Sequence, residues 1–413
     1  MPTTEQELFF YNGDGVGCEN LANYRPCGLH PVILGDVLPK PGTCVNDEAK
    51  KPRYRIAQKL GYGGFSTVWL ARDLDEERYV AVKVCRGSDH AVQSNEVTIL
   101  RQIHRNGLGK PGYTNIIEIH DVFTIRGPNG FHECLVTEVV LPLHSVSVLQ
   151  NYSPPQVTKQ LLRAFDFLHG EGVVHGDPHY ANFGIAIPRL QQFDEGAIAD
   201  YFADPPLIPV VPRDASFPRD SVPSYIAETV PLGSFVLDKK CLPSSEEVCL
   251  KVFDFGRACW TDKIDKLPGA APPTVRPPEV YMHDLSGGRI GSVWSVEADI
   301  WAIGCTAYEM KVEGELVSVY GDLRYQLYQR LRIGGAPLED WSEYWNLEKF
   351  CESTKDWRVP MLPVLDTDEI WEGRRPKSNA DGVVFVDFIR KMVRTEPSRR
   401  SQIARLLDHP YLS

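Results

Sequence analysis

Val173-Val174-His175-Gly176-Asp177-Pro178-His179-Tyr180-Ala181-Asn182 is the stretch from which the rest of the chain can be read. A helix ending at His169 runs into this stretch, which reads as a turn. Asp177 and Asn182 stand five positions apart on that bend. An aspartate so placed can accept a hydroxyl proton, and an asparagine can hold a magnesium ion. Upstream, Ser153-Pro154-Pro155 is a helix-start signal. Val157, Leu161, Leu162, Phe165 and Leu168 then recur at three- and four-residue steps, one apolar stripe of a helix. Downstream, Val252-Phe253-Asp254-Phe255-Gly256 is an apolar strand ending in Asp-Phe-Gly. An aspartate released from a buried strand into a glycine turn is well placed to bind a metal.

Further towards the N-terminus, residues 54–84 alternate apolar and polar, which predicts antiparallel strands. Between two of them lies Leu60-Gly61-Tyr62-Gly63-Gly64-Phe65-Ser66-Thr67-Val68. Such a turn lets backbone amides approach phosphates without a Cβ clash, although a glycine cluster is also the mark of a plain tight hairpin. Val80-Ala81-Val82-Lys83 follows. A lysine closing a buried strand wants an anionic partner, and Glu96 offers one on a helix expected over 91–103. Residues 1–53 read as an irregular arm, and strand-like runs return at 115–125 and 132–140. Residues 187–248 hold nine prolines, leaving room for short helices at 192–202 and 222–230. A sheet-rich front and a helix-rich back predict an α+β protein in two lobes, divided at about 54–140 and 141–413.

The bulk numbers agree with a globular chain. Of 413 residues 43% are hydrophobic and 24% charged, which argues against wholesale disorder. The net charge of -11 disfavours nucleic acid and anionic membranes and suits a cationic partner. The ten cysteines form no C-x-x-C pair, so neither zinc nor a disulfide scaffold is expected. The N-terminus has no leader pattern and no apolar run reaches membrane length, so a cytoplasmic location, a nuclear one or both are expected; the chain is also expected to be a monomer.

Taken in order, the glycine turn, V-A-V-K, the helix glutamate, H-x-D-x-x-x-x-N and D-F-G resemble the protein-kinase fold. Pro277-Pro278-Glu279 resembles the A-P-E end of the activation segment. Ala298-Asp299-Ile300-Trp301 through Gly304 resembles the D-x-W-x-x-G helix, and Glu396 to Arg400 the late D-P-x-x-R, whose arginine pairs with the A-P-E glutamate. The wording of the glycine turn, Gly28-Leu29-His30-Pro31-Val32 and Gly256-Arg257-Ala258-Cys259-Trp260 are similar to the SR-protein-specific kinases. That family also carries an insert before D-F-G, and 77 positions separate Asp177 from Asp254. The resemblance implies ATP and Mg²⁺ as cofactors and serine in basic, Arg/Ser-rich proteins as acceptor. It implies Asp177 as catalytic base, Lys83 orienting phosphates, Glu96 fixing Lys83, and Asn182 and Asp254 on the metal. Gly61, Tyr62, Gly63, Gly64 and Ser66 would wrap the nucleotide, and Leu60, Val68 and Ala81 would cover its ring. Thr137 would be the gatekeeper, with Glu138 and Val140 giving adenine backbone contacts. His175, Phe255 and Leu100 would be packing residues, and Asp299 would hold the catalytic-loop backbone.

Two departures matter. Gly176 stands where the family has an arginine that pairs with a phosphorylated loop, which implies activity without loop phosphorylation. His179 stands where the family has a lysine contacting the transferring phosphoryl group. Histidine carries less charge at neutral pH, so turnover is expected to improve as it protonates below about pH 6.5. Glu309, Glu313, Glu315, Asp322, Glu339 and Asp340 mark an expected acidic groove for basic peptides. The rival readings are a pseudokinase scaffold, suggested by His179, and a small-molecule kinase of the aminoglycoside/choline type, suggested by the His-Gly-Asp wording.

Overall fold

Alternating apolar residues over 54–85 fold into consecutive antiparallel strands in a computed structural model that describes residues 8–11, 13, 17–143, 149–203, 206–266, 271–354, 365–376 and 381–413. The strands are β1 (Val37–Leu38), β2 (Tyr54–Tyr62), β3 (Ser66–Asp73), β4 (Arg78–Cys85), β5 (Ile119–Gly127) and β6 (Gly130–Thr137), in the order β1-β2-β3-β4-β6-β5. Strand residues alternate faces. One face sends Trp69, Val82 and Val136 into a buried cluster with Tyr54, Ile56 and Phe123. Val32, Leu38 and Cys44 of the N-terminal arm and Ala227 of the insert complete that cluster.

The chain divides into two compact units. The first holds Met1–Thr98, Ile117–Leu141 and Ala186–Val248, so arm and insert both belong with the sheet. This differs from the expected division, which left 187–248 with the helical part. The cause is visible in the bonds. Arg55 pairs with Glu195, Gln191 exchanges hydrogen bonds with the backbone of Tyr79, and Val230 N–H donates to Lys59 O. The arm is packed through Phe9, Cys18, Leu21, Tyr24 and Leu29 against Val222 and Ile226 of the insert. Asn129 stitches the two, donating to Leu29 O and to Ser221 O at 2.7 Å each. Lys59, fully buried, meets Glu19 of the arm and Ala227 O of the insert.

Within the insert, Glu195–Tyr201 is helical, capped by Asp194, inside the expected 192–202. The expected helix at 222–230 is absent. Tyr225–Ala227 is instead a strand paired antiparallel with Leu207–Pro209. Pro223 and Pro231 bracket that segment too closely for a helix, and a second short helix follows at Leu232–Asp238. The first long helix, α1 (Asn95–Asn106), begins later than expected because Ser94 Oγ caps it through Val97 N–H. Val92 is left outside it and exposed.

The second unit holds Ile99–Ile116, Pro142–Ile185 and Cys249–Ser413. Its centre is α2 (Pro154–Gly170), whose Leu161, Leu162, Phe165 and Leu168 are fully buried, as the apolar stripe predicts. Two short strands, β7 (Phe183–Ala186) and β8 (Leu250–Val252), pair antiparallel, and α3 (Pro278–Ser286), α4 (Val296–Val312) and α5 (Leu323–Gly334) follow. None of the helices among the described residues is long and apolar enough to cross a membrane.

Candidate active site

Strand register assembles the first group of candidates. Gly61 pairs with Val68, Val68 with Lys83, and Ala81 with both Leu70 and Thr137. Directly paired residues share a face, and so do residues two apart on a strand. Gly61, Val68, Ala81, Lys83 and Thr137 therefore lie on one face, opposite to the one that buries Trp69. Lys83 Nζ is held by both carboxylate oxygens of Glu96, at 2.9 and 2.8 Å. That pair fixes a lysine head which alone would be costly on a largely buried strand.

The glycine turn is closed by Gly63 N–H donating to Ser66 O. A Cβ on Gly61, Gly63 or Gly64 would meet nothing within 4 Å. The glycines are thus not demanded by packing within the protein, which leaves the space over the turn to a ligand. Tyr62 and Phe65 are exposed on the turn, while Leu60 precedes it at an irregularity in the β2–β3 register. Glu138 N–H donates to Glu118 O, and its carbonyl accepts from Thr137 Oγ1. Val140 opens the short strand Val140–Pro142.

The second group lies in the other unit. Asp299, at the start of α4, is fully buried and accepts four hydrogen bonds. They come from the amides of His175 and Gly176, from His169 Nε2 and from Trp294 Nε1. Four donors on one carboxylate fix the backbone that carries Asp177. Gly176 has φ +79°, a left-handed conformation that glycine adopts freely. His175 donates from Nε2 to Phe253 O and accepts Asp177 N–H at Nδ1, and burial pushes its imidazole down, keeping it neutral. It packs on Phe255 at 5.0 Å between ring centres.

Asp177 is the focus of these loops. Its Oδ1 is buried and has no hydrogen-bond partner among the described residues. Its Oδ2 lies 3.7 Å from His179 Nε2 and 3.6 Å from Arg257 Nε. Burial pushes the carboxyl up to about 6, with Arg257 opposing that rise and Asp254 and Asp299 adding to it. Asn182 Nδ2 donates to Asp177 O at 2.9 Å, leaving its amide oxygen as the atom a hard cation would take. Phe253 N–H donates to Asn182 O and ties the Asp-Phe-Gly segment to the same loop. Asp254 itself is exposed at φ +60°, a strained conformation that aspartate tolerates better than most residues. His179 Nδ1 accepts from Ala181 N–H, so the neutral ring carries its proton on Nε2, towards Asp177.

An all-oxygen set of Asp254 and Asn182, beside a carboxyl that feels Asp254, fits Mg²⁺. That ion is commonly held by one or two protein oxygens together with substrate phosphates. In the sequence Arg257 stands out only as part of a family likeness, and its contact with Asp177 shows only in three dimensions. Trp294 and His169 likewise reach Asp299 from places that no spacing rule marks.

Further along the second unit, Arg400 makes a two-pronged pair with Glu279 of α3, as the family likeness implies. Arg330 of α5 is fully buried, stacks over Tyr281, and donates to the carbonyls of Pro273, Arg276 and Gln326. It fastens the described end of the segment that runs from Asp254 to Glu279. Of the expected acidic residues, Glu309 lies in the last turn of α4 with a carboxyl pushed up by burial and by Glu315. Glu309 and Glu313 both act on Tyr180 of the catalytic loop.

Comparison with known proteins agrees with this construction. Residues 54–188 match the protein kinase domain family. A serine/threonine protein kinase of Aspergillus fumigatus is 27% identical over 407 residues, covering 93% of this chain and 87% of that one. The serine/threonine-protein kinase SRPK of Physarum polycephalum is 27% identical over 421 residues, covering 96% and 91%. SRSF protein kinase 3 of Homo sapiens is 31% identical over 169 residues, 38% of this chain and 28% of that one. The ordered motifs, the α+β architecture and these relatives support a serine/threonine protein kinase similar to the SR-protein kinases.

Proposed function

We propose that this kinase transfers the γ-phosphoryl group of Mg·ATP to serine in basic, Arg/Ser-rich proteins. The observation that carries the chemistry is the buried, unspent Oδ1 of Asp177, a base whose partner is still to come. In the transfer, the serine oxygen forms a bond to the γ-phosphorus and its proton passes to the Asp177 carboxylate. The bond from the γ-phosphorus to the bridging oxygen breaks, and its electrons leave with ADP. Lys83, fixed by Glu96, would orient the phosphates, and Asn182 and Asp254 would hold the metal, which supplies charge neutralisation. Leu60, Val68, Ala81 and the backbone of Glu138 and Val140 would take the adenine, with Thr137 behind it.

The basic substrate is supported by Glu309, which feels Glu315 and together with Glu313 acts on Tyr180 of the catalytic loop, and by the name of the human relative. A partly buried carboxylate that already feels a second one gains from a guanidinium. The test is radiolabelled γ-phosphate transfer from Mg·ATP to an Arg-Ser repeat peptide, with Asp177→Asn as control. Transfer to serine that is lost in the variant is the expected result. Nucleotide binding without transfer to any protein acceptor would instead establish a scaffold.

A further inference from the structure

The catalytic loop from His175 to Asn182 contains no lysine or arginine. Phosphoryl transfer moves negative charge through such a loop, and enzymes commonly meet it with a fixed cation. Two nitrogen groups approach the same oxygen of Asp177, and they differ in kind. His179 spends Nδ1 on Ala181 N–H and turns Nε2 to Asp177 Oδ2. Its neutral form offers a hydrogen-bond donor but no charge. Arg257 approaches from the segment after Asp-Phe-Gly, and a guanidinium is charged at every working pH.

The position of Arg257 is set by bonds on both sides of it. Before it, Phe253 N–H is bound to Asn182 O. After it, Ala258 N–H closes a turn onto Phe255 O, and Cys259 and Trp260 pair antiparallel with Val174 and Val173. Val174 is the residue immediately before His175. The backbone carrying Arg257 is therefore registered against the backbone carrying Asp177, and the approach at 3.6 Å is built in rather than incidental. The side chain is about three-quarters buried, so solvent screens the pair only in part.

We propose that Arg257 is a positioning residue that lends this catalytic loop its fixed positive charge, orienting the Asp177 carboxylate and doing the electrostatic work for which His179 is unsuited. The inference rests on the phosphotransfer reading above. While Asp177 is ionised, Arg257 holds one of its oxygens and leaves Oδ1 to the incoming hydroxyl. When the serine proton arrives and the carboxyl becomes neutral, the guanidinium charge remains beside the loop as the new phosphate ester forms.

Charge transplantation tests this. Transfer to an Arg-Ser repeat peptide is measured for the native chain, Arg257→Gln, Arg257→Lys, His179→Lys and the double variant His179→Lys/Arg257→Gln. Arg257→Gln is expected to lower kcat about 10- to 100-fold while KM for ATP and peptide moves less than about three-fold. Arg257→Lys should keep most of kcat. The double variant should recover at least about ten-fold over Arg257→Gln, because lysine at 179 restores a cation from the other side. A purely structural role for Arg257 would not be rescued that way. Arg257→Gln within about two-fold of native, or a double variant no faster than Arg257→Gln, overturns the proposal. If the native chain transfers no phosphate, the phosphotransfer reading falls. The pair is then judged by thermal unfolding of Asp177→Asn, Arg257→Gln and their combination. Non-additive midpoints support the built-in contact, and additive ones refute it.

Discussion

Arg400 grips Glu279 through both terminal guanidinium nitrogens, at 2.7 and 2.6 Å, with both side chains buried. It also donates to Glu297 O and Arg394 O, so two further hydrogens are spent on backbone. One arginine thereby joins α3, the start of α4 and the C-terminal segment. Removing one partner strands a charge in the interior. Arg400→Met is expected to cost about 3–5 kcal/mol by urea unfolding. The paired change Glu279→Leu/Arg400→Met should cost less than either single change, which the same titration reads directly.

The Asp177 carboxyl, raised by burial to about 6, must be ionised to take a proton. The kcat/KM for peptide should therefore fall with unit slope below about pH 6, and a profile flat down to pH 5 would contradict the role. A positive charge on His179 would work in the opposite direction. Loss of the base removes the reaction whereas a charge at 179 only modulates it, so the net change is a fall.

The same carboxyl costs stability at neutral pH. Its folded value lies above the ordinary 3.8, so the folded state holds the proton more tightly than the unfolded one. Stability from this group is highest below the ordinary value and is lost as pH rises through about 6. Asp177→Asn should raise the unfolding free energy at pH 7.5 by up to about 3 kcal/mol and give little gain at pH 4. Calorimetry at the two pH values checks the sign.

Arg330 fastens the carbonyls of Pro273 and Arg276, on the approach to Glu279. Replacing it by methionine keeps the packing on Tyr281 but frees those carbonyls. KM for peptide should rise about ten-fold or more while KM for ATP moves little, since the nucleotide candidates lie elsewhere in the chain. An equal rise in both would show general loosening instead.

Glu309→Gln should weaken Arg-rich peptides selectively. KM for an Arg-Ser repeat is expected to rise about ten-fold at low salt, with a smaller effect at 0.5 M salt. A peptide with its arginines replaced should show no difference.

Much of this molecule was legible in sequence because its chemistry sits at fixed spacings along continuous loops. Asp177 and Asn182 share one bend, Lys83 stands near the end of one strand, and Asp254 follows shortly after another. The helix of 154–170 was written in its apolar steps. What was not legible depends on chain segments meeting across long separations. Arg257 reaches Asp177 only because Cys259 and Trp260 pair beside the catalytic loop. The strand at Tyr225–Ala227 looked helical because its apolar pattern is short and ambiguous, and its partner, Leu207–Pro209, lies outside any local window. The fate of the insert turned on individual contacts, such as Glu195 with Arg55, that no periodicity announces.

The surroundings of Lys59 constrain how this chain can change over generations. Its counter-charge sits on the arm, its carbonyl acceptor on the insert, and the lysine itself on the strand that leads into the glycine turn. A lineage that deleted the arm or shortened the insert would be left with an uncompensated ammonium in its interior, and selection would replace the lysine soon after. Lys59, Glu19 and the segment around Ala227 should therefore be inherited as a set. In descendants that have shed either appendage, the position of Lys59 is expected to have become apolar.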